Sequence, residues 1–97
     1  MRLIEKEMVW AIQAREDWRK DNTEVCVSKV NDRTIISVFL HGNHIANVRV
    51  NGEVIPNLDT LAKWPTPTTK SRLRALGVNV TQKAGAVAID GEVVCYV

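Results

Sequence analysis

Apolar side chains at Ile4, Met8, Ala11, Ile12 and Trp18 recur at spacings of three and four, forming a single stripe. That spacing predicts an amphipathic helix over residues 3–20. Glu5 and Glu7 fall in its first turns and Arg19 and Lys20 in its last, both opposing the macrodipole. Glu16 and Lys20 form a favourable i,i+4 pair, and Arg15 and Arg19 a repulsive one. Trp10 lies off the stripe.

The period then changes to two. TEVCVSKV (23–30), RTIISVFLH (33–41) and HIANVRV (44–50) are rich in β-branched residues and predict strands. Asn31-Asp32, Gly42-Asn43 and Asn51-Gly52 separate or end them, each a plausible two-residue hairpin turn. The reading is a β-meander whose last strand, 53–55, is cut short by Pro56. The 33–41 run is apolar on both faces and belongs in the middle of the sheet. Over 56–67 two readings stand: a short helix capped by Asn57, or an irregular strand and loop. Thr66 then suits an N-cap, Pro67 the first helical position and Gly77 the site just past the end. The short helix between them buries Leu73 and Leu76. Residues 78–97 read as β again, with an Asp90-Gly91 turn joining 86–89 to 92–97. The sum is a single α+β domain over 1–97, its mostly antiparallel sheet covered by helices on one face.

Composition changes this picture little. Of 97 residues, 45% are hydrophobic and 25% charged, as in an ordinary soluble globule. No apolar run approaches the ~20 residues that a bilayer span needs. Charges in MRLIEKEM interrupt the apolar core of a signal peptide, so the expectation is a cytosolic protein. Cys26 and Cys95 are then expected as free, buried thiols.

Charge distribution matters more. Residues 1–59 carry 8 basic and 9 acidic side chains; residues 60–97 carry 5 basic and 2 acidic. No acidic residue lies between Asp59 and Asp90, a window that holds Lys63, Lys70, Arg72, Arg74 and Lys83. On a helix, Lys70 and Arg74 share one face and Arg72 takes the other, with Lys63 and Trp64 just upstream. Cations beside an indole suit a phosphate backbone and a stacked base. They equally suit an acidic protein surface. Against both stands a solvated amphipathic helix with Trp64 in the core.

LHGNHIA (40–46) raises a second question. With Gly42-Asn43 as the loop, His41 and His44 face each other, Cβ atoms ~5 Å apart, within reach of a shared metal. Such a site needs further ligands. The Asn31-Asp32 turn sets Cys26 opposite Ser37, four residues from His41, or about 13 Å at ~3.3 Å per residue. The pair therefore reads as a polar hairpin tip that can contact a partner, with no metal and no cofactor.

Catalytic signatures are missing from the sequence. There is no G-x-S-x-G, H-E-x-x-H, C-x-x-C or G-x-G-x-x-G. TPTTKSR has the lysine and serine of a phosphate loop without its glycines. The expectation is a protein that is not an enzyme.

LHGNHIA (40–46) and WPTPTTKSRLRAL (64–76) together resemble a group of small proteins from tailed bacteriophages. That group's pattern runs L-H-G-N-x-I-A, a strand, then W-x-T-x-T-T-K-x-R-L-N-A. The resemblance covers about residues 37–77, with Arg74 standing where the pattern has Asn. It implies a phage origin and action in the bacterial host cytoplasm, and carries no activity with it. The functional expectation is a non-catalytic accessory protein that binds and modulates a host protein complex. Its candidate contacts are Lys63, Trp64, Lys70, Arg72, Arg74, His41 and His44. The alternative is a nucleic-acid-binding module using segment 63–83. A homo-oligomerising part that pairs through exposed edge strands is a third reading.

Overall fold

In the computed structural model, which describes residues 1–97, the chain opens with helix α1 over Leu3–Ala14. Met8 and Ala11 are buried; Val9 and Ile12 pack beside them. The helix stops earlier than its stripe. Arg15 takes a left-handed backbone, φ 54°, and the Glu16 N–H reaches back to the Ala11 carbonyl at 3.0 Å, a Schellman-type close made without glycine. Asp17 then accepts a 2.7 Å hydrogen bond from the Val27 N–H. Trp18 keeps its core-facing place, but as the first residue of strand β1, Trp18–Lys20. The predicted helix over 3–20 is corrected accordingly. With it goes the Glu16–Lys20 pair: Lys20 instead meets Glu7 at 3.1 Å.

Strands β2 (Thr23–Val30), β3 (Arg33–Leu40), β4 (Asn43–Arg49) and β5 (Val54–Pro56) follow. With β1 they form a five-stranded antiparallel meander in chain order, β3 in the centre as its apolar pattern predicts. Asn31 and Asp32, φ 51° and 64°, make the predicted two-residue turn, and Cys26 lies opposite Ser37. One face, bearing Val25, Ile36, Val38, Leu40, Ala46 and Val48, is buried. Helices α2 (Leu58–Lys63) and α3 (Pro67–Ala75) come next. Asn57 caps α2, accepting from the Thr60 N–H at 3.1 Å; Thr66 caps α3, accepting from the Thr69 N–H at 3.1 Å. The open choice over 56–67 thus falls to the capped helix.

Strands β6 (Val80–Lys83), β7 (Ala86–Ile89) and β8 (Glu92–Tyr96) form a separate three-stranded antiparallel sheet, closed by the Asp90-Gly91 turn. A single apolar cluster joins both sheets. Val80, Val87 and Cys95 from the small sheet share it with Met8, Ile36, Ile45, Leu61 and Leu73. The fold is α+β, as the periodicities imply. No helix is long and apolar enough to cross a membrane.

Candidate functional site: a cleft where two sequence motifs meet

Register decides the fate of the two histidines. Ile36 pairs with Val48 and Val38 with Ala46, so all four point inward. Had Gly42-Asn43 formed the loop, the same strands would slip by one residue. Ile36 would then face Arg49, and Val38 would face Asn47. A one-residue slip moves the whole polar set into the core, and the core wins. The turn is instead His41-Gly42, φ 51° and 77°, with Leu40 opposite Asn43 and Phe39 opposite His44. The mismatch is taken up by a β-bulge, which turns both Ile45 and Ala46 inward.

His41 and His44 are therefore not a facing pair. His41 is exposed in the turn, its N–H donating to the Asn22 carbonyl at 2.7 Å. His44 lies on the outer face of the large sheet, edge-on to Phe39 with ring centroids 5.5 Å apart. Its Nε2 lies 2.7 Å from Asn47 Oδ1, and its Nδ1 lies 3.0 Å from Asn57 Nδ2. An asparagine amide can only donate and its carbonyl oxygen only accept, so this network requires the Nε2–H tautomer. Asn57 is also the α2 cap, so His44 ties the sheet to the helix start.

The β4–β5 register continues past Pro56. The Asn57 N–H donates to the Ile45 carbonyl at 2.8 Å, which hangs α2 beside the hairpin tip. Seven residues on, Trp64 closes α2, its N–H donating to the Thr60 carbonyl at 2.8 Å. Pro65 and Pro67 then forbid helix continuation, and the chain turns into α3. A cleft of about 270 Å³ opens between tip, α2 and the start of α3. Leu40, Ile45 and Thr69 form its buried floor. His41, Asn43, Trp64 and Thr66 stand exposed at its rim, with Thr60 half-buried between. Trp64 is 50% exposed, which removes the reading that places it in the core. Two separate sequence stretches, 40–46 and 64–69, supply nearly every lining residue.

The basic helix divides as its pattern predicts, but turns most of its charge inward. Arg72, 2% exposed, meets Glu5 at 2.8 Å; its Nε donates to Thr23 Oγ1 at 3.0 Å, and a second guanidinium nitrogen lies 3.4 Å from Asn22 Oδ1. Ser71 donates to the same Glu5 carboxylate at 2.6 Å, and the Arg2 N–H donates to its other oxygen at 3.2 Å. Burial alone would raise the Glu5 carboxyl. The hydrogen bonds from Ser71, Arg2 and Arg72, with the Arg72 charge, outweigh it and hold the group below the usual glutamate range. On the opposite face, Lys70 is buried and donates to Gln82, while Arg74 donates through Nε to the Val80 carbonyl at 2.8 Å. Lys70 and Arg72, expected as partner contacts, are buried and brace the fold from within. A buried guanidinium needs its anion, and the structure supplies one from α1. Lys63, Arg74 and Lys83 stay exposed.

Both cysteines are free, Cys95 buried and Cys26 half-buried. Burial, the hydrogen bond to Glu24 at 3.4 Å and the charges of Glu24 and Asp17 push the Cys26 thiol up, so it stays protonated. No three His, Cys, Asp or Glu side chains stand together as a metal site.

The fold is that of a small α+β domain. Residues 1–96 match the family model described as Kyanoviridae Gp96 protein, and the chain belongs to that phage family. The match reaches well beyond residues 37–77, taking in α1 and the small sheet. No curated protein and no solved structure matches the chain.

Proposed function

We propose that this phage protein is a non-catalytic accessory factor that binds a host protein complex in the bacterial cytoplasm, through the cleft at the β3–β4 tip. One observation carries the reading: Trp64 stands half-exposed at the rim of an apolar cleft floored by Leu40, Ile45 and Thr69. An amphipathic ring beside an apolar cleft is the pattern of an interface anchor, where tryptophan is enriched and a few residues carry most of the binding energy. The cleft accepts an apolar side chain from the partner, with His41, Asn43 and Thr66 offering polar contacts around it.

The nucleic-acid alternative draws its cations from 63–83. Two of those five, Lys70 and Arg72, are spent inside the fold, and the alternative ranks second on that ground.

The experiment is a tagged pull-down from host lysate, with and without nuclease, comparing wild type with Trp64→Ala. A host complex retained after nuclease by wild type, and lost by a folded Trp64→Ala variant, supports the reading. Retention that collapses with nuclease, or that ignores the substitution, overturns it.

A further inference from the structure

Four strand edges bound the two sheets, and three carry protection. β1 is three residues long and presents Arg19 and Lys20. β5 is equally short and ends in Pro56, which has no N–H to offer. β6 is occupied by Arg74, bonded to the Val80 carbonyl, and carries Lys83. Short strands, lysine and proline are the devices that blunt an edge.

β8 has no lysine or proline and is the longest of the four, a bulge being its one such device. It reads EVVCY, runs five residues and pairs only with β7. Beyond that ladder its segment makes a single backbone bond, from the Val97 N–H to the Gly85 carbonyl at 2.8 Å. α2 meets it through the Cys95 thiol, 4.0 Å from the Leu61 carbonyl, and no backbone hydrogen bond links the two. Val93, Tyr96 and Val97 are 47%, 74% and 60% exposed. A bulge at β8 sets Val93 opposite Ala88 and Tyr96 opposite Ala86, so both project from one face.

We infer that β8 is a pairing edge whose partner is β8 of a second copy, joined antiparallel about a two-fold axis. Charge selects this occupant. The strand's single charge is Glu92, at its start. In the register that sets Val93 against the partner's Tyr96, the two carboxylates fall at opposite ends, roughly 16 Å apart at ~3.3 Å per residue. That exceeds the ~8 Å screening length at physiological salt. Every other cross-strand position joins apolar or aromatic side chains, the pairs that stabilise a sheet. An isologous contact of this kind closes on itself. No β8 residue lines the Trp64 cleft, and the inference stands apart from the function proposed above. Because one strand pair covers less than a standard interface, the dimer is reversible and concentration-dependent.

Sedimentation velocity over a concentration series tests this, using wild type, Val93→Lys, Tyr96→Lys and Trp64→Ala. Wild type and Trp64→Ala are expected to shift from monomer to dimer as concentration rises. Each lysine variant is expected to stay monomeric with unchanged circular dichroism, since both positions are exposed. A wild type that remains monomeric throughout overturns the inference, as does a dimer that survives both lysine substitutions.

Discussion

Glu5 and Arg72 stand 67 residues apart in the chain and 2.8 Å apart in the fold. The contact pins α1 to α3, and through Thr23 to β2. Removing one partner of such a pair strands a buried charge, at a cost of about 3–5 kcal/mol. Arg72→Ala is expected to lose that much by urea denaturation, well beyond an exposed-helix substitution. The pair also gives stability an acid limb. The folded Glu5 carboxyl lies below its ordinary value, so the unfolded chain binds the proton more readily. Its contribution is complete above the ordinary glutamate range, about 4.3, and is lost as pH falls through the folded value. Glu5→Gln is expected to be less stable at neutral pH and to lose less on acidification. Parallel acid limbs in mutant and wild type would show that other carboxylates set the slope.

At the scale of elements, Asn57 joins the α2 cap to the His44 network. Asn57→Ala removes both and is expected to cost about 0.5–2 kcal/mol, the usual range for a lost cap. Asn57→Asp keeps the oxygen that accepts from the Thr60 N–H but loses the amide given to His44. It is expected to recover most of the cap's stability, and equal losses in the two variants would assign the effect to His44 instead. The sequence left this cap as one of two readings over 56–67, whereas the Thr66 cap and the Asn31-Asp32 and Asp90-Gly91 turns were legible, because each is written within a few adjacent residues. The end of α1 was not. Arg15 enters the left-handed region without glycine or asparagine, while the apolar stripe runs on to Trp18, which the core uses in a strand. The β3–β4 turn was misread for a related reason. Gly42-Asn43 is the better local turn, but the non-local demand to keep Arg49 and Asn47 out of the core selects His41-Gly42. Of the cleft, His41 and Trp64 were legible as unusual residues; their meeting depends on the bulge at Ile45, which no local pattern announces.

Over the whole molecule, pairing and burial rearrange the charge that the sequence displays. The 63–83 window reads as five consecutive cations without a counter-charge, yet Arg72 finds its acid on α1, from the other end of the chain. Lys70 turns to Gln82. Only Lys63, Arg74 and Lys83 remain exposed, and Arg74 already spends its Nε on the Val80 carbonyl. Each phosphate contact contributes roughly 0.7–0.9 to the slope of log affinity against log salt. Three cations bound that slope at about 2–3 for this segment, where five would give about 4. Titration of a fluorescent single-stranded oligonucleotide across a salt series is therefore expected to show weak binding and a shallow slope. Lys63→Gln should flatten it further, whereas Lys70→Met should leave it unchanged. A slope of 4 or more, reduced by Lys70→Met, would mean that α3 detaches to present its buried face to nucleic acid. The ranking of protein partner over nucleic acid would then reverse, since the braces seen here would be a resting state of the binding segment.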